Sequence, residues 1–433
     1  MLKRAIGLIW KNEGPYENWT RRQLLDRIKE LESITSESTS TETTKKNHTS
    51  NEPPAKKPKR KFDFSGHSKR FIALRFAYAG WNYNGLAFQN EPTPLPTVEQ
   101  EILEALTKAR LITEPDPLVC NFSRCGRTDK GVSAMNQVIS LEVRSGLTEE
   151  QRSQPGADQK EIPYITILNS LLPPSIRITG ICLNPPPGFD ARFSCSYRHY
   201  RYIFRRYDLD LEAMTEAAKK YEGEHDFRNF CKIDGSKQIT NYGRTILSAN
   251  IMPLKDDYYV FDLKGTAFLW HQVRCMMGIL FLVGRKLEKP SLVDELLNVD
   301  VNPNKPNYDM ANDVPLVLYD CVFPDIEWTT ATDAAGAESK ILKERALMRQ
   351  QVLDHSIKAQ IIGMLENVFV GDNSRMQGLT QGGGIIDIGD GKGRNFKKYT
   401  PVMQRDRTEL FEVINARWLA KGKKKSDSST KTE

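Results

Sequence analysis

Cysteine is scarce in this chain and scattered. The seven residues, at 120, 125, 182, 195, 231, 275 and 321 of 433, are odd in number, and no two have the two-residue gap of a zinc knuckle. That pattern argues against a disulfide framework and a structural metal, and it suits a reducing compartment. Long apolar runs are lacking too. The longest, Met276–Val283, is shorter than half a membrane span and reads as a buried helix. Ala5–Trp10 is too short for a signal-peptide core. There is no Walker-type phosphate loop, and the pair His225-Asp226 has no nearby third member to make a metal site or a hydrolase triad. A membrane protein, a P-loop NTPase and a zinc enzyme are therefore poor readings.

What is present is mildly basic. Lys and Arg total 62 against 55 Asp and Glu, a net charge of +7, and 39% of residues are hydrophobic. The charge permits a polyanionic partner, and the apolar share is enough for a core. Residues 1–66 read as a short helical extension, with Leu24, Leu25, Ile28 and Leu31 at helical spacing, and then a linker too polar to order itself. Within it, the basic run Lys56–Lys61 reads as a nuclear-import signal.

The folded region opens near Lys69. The pattern predicts a strand at Phe71–Tyr78, a helix from Thr97 with Gln100 at capping-box spacing, and a short strand at Leu118–Phe122. Strands over 138–143 and Ile176–Leu183 follow, and Pro185–Gly188 marks a boundary. The second half repeats the vocabulary: strand Tyr197–Arg206, helix Leu211–Tyr221, paired strands Ile246–Leu254 and Tyr258–Lys264, long helix Phe268–Leu287, short helix Ser291–Leu297, final strand Val314–Val322. Two halves, 67–187 and 188–325, imply an α+β protein with a central antiparallel sheet, flanking helices and a cleft between the halves. Residues 326–433 read as an extension with a helix at Lys340–Met364, a glycine-rich stretch at Gln381–Arg394 and a mobile basic tail.

Three constellations carry chemistry. In Gly126-Arg-Thr-Asp-Lys-Gly131, two glycines let the backbone turn tightly, and Asp129 stands near the cations Arg127 and Lys130, which favours its charged form. That suits a nucleophile or a base; a plain charged surface turn is the competing reading. In Tyr197-Arg-His-Tyr-Arg-Tyr202, alternation puts Arg198, Tyr200, Tyr202 and Phe204 on one face of a strand, a mixture of rings and cations that can hold unstacked bases or simply pack a core. In Gly265–Arg274, His271 and Arg274 lie three apart on an expected helix. Arg274 needs a buried acid, and Asp129 is the natural partner; His271 reads as a packed structural residue.

In this order, these segments resemble the TruA family of tRNA pseudouridine synthases, over about Phe71 to Phe323. Gly85–Gln89, His225–Lys232, His271–Cys275 and Val314–Cys321 are similar to the eukaryotic branch that modifies uridines 38 and 39 of the anticodon arm. Ala79 and Leu86 stand where the broader family often has Asp and Trp, which bears on substrate choice. The resemblance implies that Asp129 is the catalytic nucleophile or base, that Arg127 helps displace the target base, that Tyr200 packs on it and can relay its C5 proton, that Arg274 pairs with Asp129, and that Val314 lines the pocket. It implies tRNA as partner, a homodimer, and no cofactor, since the reaction has no net redox change; the expected location, nucleus and cytoplasm, goes with the basic run Lys56–Lys61. Two other outcomes would contradict an active synthase: a silent tRNA-binding protein of the same fold, or a glycosidic hydrolase using Asp190 or Asp226 as its acid.

Overall fold

Strand β1 (Lys69–Tyr78) alternates as a half-covered strand should, with Ile72, Leu74 and Phe76 fully buried. The computed structural model to which it belongs describes residues 62–330, 332–333, 338–370, 385–387, 390, 393–395 and 399–429. The predicted N-terminal helix, the linker with its basic run, and much of the glycine-rich stretch lie outside these residues. β1 pairs antiparallel with β3 (Ser133–Arg144), Ile72 opposite Leu141 and Leu74 opposite Ile139, and on its other side with β4 (Ile176–Cys182). A two-residue strand, β2 (Ser123–Arg124), adds to β3. Helix α1 (Val98–Lys108) starts where Thr97 accepts from the Gln100 amide. Gln100 turns its own side chain to Glu104, so only half of the expected capping box forms. Val98, Ile102 and Leu106 of α1 and Leu168 of α2 (Tyr164–Leu171) complete a first core over this half-sheet.

The second half-sheet is β5 (Tyr197–Arg205), β6 (Gly223–Asp226), β7 (Gly243–Pro253) and β8 (Tyr258–Gly265), with α3 (Leu211–Lys219), α4 (Gln272–Gly284) and α5 (Leu292–Leu297) packed on it. Every residue of α4 is buried; from Cys275 on it carries only apolar residues and glycine, while Gln272 and Arg274 in its first turn are buried polar groups. The halves are joined by the late strand β9 (Leu316–Val322), which runs parallel to β3 and antiparallel to β5. The result is one mostly antiparallel sheet in the order β10-β4-β1-β3-β9-β5-β8-β7-β6, where β10 is Thr329–Thr330. The α+β class is the one the sequence implied.

Two local expectations fail for physical reasons. Leu118–Phe122 is not a strand: Asp116 accepts from the Leu118 amide and starts a turn over Pro117–Cys120, and Asn121 follows in the left-handed region. The helix expected from Phe268 begins four residues later, because His271 has a φ of 60° and the Leu269 amide donates to the Gln272 side chain instead of continuing a helix. In the extension, the backbone is helical over α6 (Glu338–Val370) and α7 (Phe411–Ser429). The extension also enters the cores. Ile326 and Trp328 pack on the first, and Val402 and Phe411 belong to the second.

Candidate active site

The loop before β3 is held from several sides. Tyr78 and Thr128 share a hydroxyl hydrogen bond of 2.7 Å, and the fully buried Gln137 donates to the Gly126 carbonyl at 3.0 Å. Arg124 forks onto the buried Glu99, which also accepts from the Phe88 amide. The Gly80–Leu86 turn lies directly against the loop: the Gly80 amide donates to Ser133 Oγ, and the Leu86 amide to the Thr128 carbonyl. Gly131 has a φ of 84°, so glycine is required there; Gly126 has no such need. A reading in which both bracketing glycines serve the turn is thus half right.

Asp129 sits at the tip, its side chain 31% exposed. Neither flanking cation holds it. Arg127 and Lys130 are exposed and make no hydrogen bond or ion pair among the described residues. Two neutral rings stand there instead. The Trp270 indole donates to Oδ1 at 3.0 Å, and His271 brings Nε2 to 3.3 Å of Oδ2. Burial pushes the His271 pKa down; Asp129 opposes that shift, while Arg274, Lys232 and Lys305 reinforce it. These surroundings therefore favour the uncharged imidazole. Sequence reasoning set His271 aside as packing and missed Trp270 altogether. The signal was weak, because only the assumption of a continuous helix separated them from Asp129.

Arg274 does not pair with Asp129. Its Nε donates to the Ala311 carbonyl at 2.9 Å and its Nη2 lies 3.8 Å from Asp313. The helix it was placed on begins late, so its guanidinium points to the turn before β9. That turn touches the catalytic loop as well, since a β-carbon on Gly131 would lie 3.0 Å from the Asp313 carboxyl carbon. The extension reaches the same turn through Asp390, which accepts from the Asn312 amide at 2.8 Å. Val314 follows Asp313, 47% exposed, ahead of β9.

Tyr200 packs against both cores, with its ring 4.9 Å from and edge-on to Phe268. Burial above all, with the nearby acidic groups of Cys321, Cys125 and Asp129 adding to it, pushes its phenol far above the ordinary tyrosine range. The cations of the same strand are already engaged. Arg198 donates to the carbonyls of Cys125, Arg192 and Thr266, which ties the loop's root to the end of β8. Arg201 and His199 share Asp262, and Arg201 lies 3.7 Å from the Tyr319 ring centre. The cations this strand offered for holding bases, Arg198 and Arg201, are therefore committed to internal contacts. Asp190 caps its own turn and Asp226 pairs with Arg228, so neither serves as the second carboxylate of a hydrolase. A polar recess of about 510 Å³ lined by Arg206, Asp208, Asp210 and Lys286 lies past the other end of β5. Two of its carboxylates are paired, Asp208 with Arg285 and Asp210 with Lys286.

An anionic side chain on a tight glycine loop, oriented by neutral donors beside a stacking tyrosine, fits chemistry at a sugar–base bond. Comparison with known proteins agrees. A family model described as tRNA pseudouridine synthase matches residues 217–324. The chain is 50% identical to the tRNA pseudouridine(38/39) synthase of Saccharomyces cerevisiae, over 97% of this chain and 95% of that one. It is 40% identical to the Homo sapiens protein of the same name, over 94% and 90%. It is 32% identical to tRNA pseudouridine synthase A of Methanothermobacter thermautotrophicus, over 66% and 96%. The chain belongs to the tRNA pseudouridine synthase family and is an isomerase that converts uridine to pseudouridine in tRNA.

Proposed function

We propose that this enzyme acts on uridines 38 and 39 of the tRNA anticodon arm, with Asp129 as its catalytic carboxylate. The observation that carries this reading is Asp129 itself: a partly exposed carboxylate at the tip of a loop held from several sides, beside a tyrosine that packs on both cores. In the reaction the N1–C1′ bond breaks, the base turns, a C5–C1′ bond forms, and the C5 proton is lost as N1 gains one. Asp129 acts on the sugar or on the base; both assignments balance. Arg127, exposed and uncommitted, is free to enter the space the flipped base vacates. Tyr200 keeps its proton, which favours packing on the base or donating to it over abstracting from it. Arg274 acts at one remove, by fixing the turn that abuts Gly131. Val314 lines the entrance from the same turn.

The relatives' names support positions 38 and 39. A nuclear and cytoplasmic location rests on the Lys56–Lys61 run. A homodimer rests on the family resemblance and on the exposed apolar stripe of α6, which includes Leu353, Ile357, Ile361, Leu365 and Val368. The test is a pseudouridine map of tRNA treated with wild-type enzyme and with Asp129→Asn. Modification at 38 and 39 by the wild type, with bound but unmodified tRNA for the variant, is the expected result. Wild-type protein that binds tRNA and isomerises nothing would sink the reading, as would modification at other positions. Affinity should fall linearly with log salt, because phosphate contacts release counterions.

A further inference from the structure

A carboxylate on a loop tip must be aimed as well as ionised. Rotation about its last bond exchanges its oxygens and tilts their lone pairs, and about 1 Å of misplacement can cost on the order of 100-fold in rate. The cations nearest in sequence do not aim Asp129, and Arg274 is committed to Ala311 and Asp313. Only Trp270 makes a hydrogen bond to its side chain among the described residues, at 3.0 Å from Oδ1.

Trp270 is itself fixed, although 40% exposed. The His271 ring lies 4.6 Å away at 37°, the Lys232 ammonium sits 4.8 Å from the indole centre, and the Lys232 amide donates to the Trp270 carbonyl at 3.0 Å. The next residue, His271, holds a left-handed backbone that a histidine adopts at a cost, and such strain persists where surrounding structure requires it. This turn makes the indole N–H and the imidazole Nε2 converge on the two oxygens of one carboxylate.

We propose that Trp270 is a positioning residue for the isomerisation, its indole N–H pinning Oδ1 of Asp129 while His271 flanks Oδ2. The inference rests on Asp129 being the reacting group. A neutral donor suits this role, because it orients the carboxylate without the charge pairing that would quench its reactivity toward the sugar or the base. The Nδ1 of His271 is buried without a hydrogen-bond partner. A buried orphan N–H costs more than an orphan lone pair, so the proton belongs on Nε2, facing Asp129. The indole is thus a neutral donor to the carboxylate, and the imidazole nitrogen beside it faces the same group at 3.3 Å.

Aim can be separated from binding and from folding by substitution. Trp270→Phe keeps an aromatic ring and removes the donor along with the fused pyrrole ring. Its single-turnover rate at saturating tRNA should fall about 10- to 100-fold, the usual effect of losing a hydrogen bond to a charged group. Its tRNA Kd and melting temperature should stay near wild type. Trp270→His, which restores a ring N–H, should recover part of the rate. A Phe variant as fast as wild type overturns the proposal. So does a loss that appears in Kd instead, or a His variant no faster than Phe. A second measurement uses folded protein whatever the Phe variant does. Among the indole N–H signals of 15N-Trp-labelled enzyme, six tryptophans in all, one should move on Asp129→Asn; none moving overturns the proposal. Failure of the broader reading looks different, since Asp129→Asn would then retain isomerase activity.

Discussion

Replacing Gly80 with alanine should disable the enzyme without touching any group that carries the chemistry. A β-carbon at Gly80 would lie 1.9 Å from the Val132 carbonyl oxygen and 2.4 Å from its carbon. These are backbone atoms, and no side chain can swing aside. Restoring ordinary contact moves the Val132 peptide by about 1 Å or more, and displacement on that scale costs on the order of 100-fold in rate. Val132 is tied to Asp129, since its amide donates to the Asp129 carbonyl at 3.2 Å, so the shift is passed to the catalytic residue. The same clash, with loss of the Gly80–Ser133 hydrogen bond, should cost about 1–3 kcal/mol of stability. Tritium release from uridine-5-tritiated tRNA, read beside a urea melt, measures both effects. Gly126→Ala is the melting control: nothing stands within 4 Å of its added carbon, and its stability should change by less than about 0.5 kcal/mol. If Gly80→Ala melts and turns over like the wild type, the tight packing of the turn on the catalytic loop is wrong.

Two further outcomes follow from buried charge. Arg124→Met leaves the Glu99 carboxylate buried with only the Phe88 amide as donor, and should cost about 3–5 kcal/mol in a urea melt. Adding Glu99→Gln should return part of that, and a double variant no better than the single would refute the pairing. Glu161 sets an acid limit. Burial pushes its pKa up, but the Ser145 hydroxyl, the Gly146 and Ile162 amides and Arg70 outweigh this and hold it below the ordinary carboxylate range. A lowered folded pKa means the unfolded chain binds protons first as pH falls. Its contribution is therefore complete above about pH 4.3 and is lost as pH falls through the lowered folded value. Glu161→Gln should flatten the acid limb of stability against pH; parallel limbs would remove Glu161 from that role.

How much of this was legible depended on range. Asp129 stood out because Gly126–Gly131 is contiguous and its chemistry is local. The strands were legible because alternation is local too: Phe71–Tyr78 and Tyr258–Lys264 emerge within two residues of their ends. Errors arose where one backbone angle decided. A left-handed His271 delays α4 and redirects both Arg274 and the two rings before it, and a left-handed Asn121 with a capping Asp116 turns an apolar run into a bend. Periodicity does not register such points. The arginines of β5 were misjudged for another reason. Their partners, the carbonyls of Cys125 and Thr266 and the carboxylate of Asp262, lie more than 60 residues away in sequence, and nothing local says a guanidinium is already spent.

The placement of β9 explains why the site needs both halves. Each half-sheet closes its own core, but Asp129 comes from the loop of the first, and Trp270, His271 and Tyr200 come from the second. Their mutual geometry is set by the one strand that bonds to both, Leu316–Val322, where Leu318 faces Ala134 on one side and Tyr200 on the other. Only two residue pairs join β3 to β9, against six joining β9 to β5. The weaker seam therefore lies on the side of the catalytic loop. Backbone hydrogen bonds alone would leave that seam compliant. The contacts that stiffen it are Trp270 on Asp129, Arg198 on Cys125, and Asp313 against Gly131. The groups that aim the carboxylate are thus the same ones that hold the two halves in register, so in this fold positioning and cohesion rest on one set of contacts.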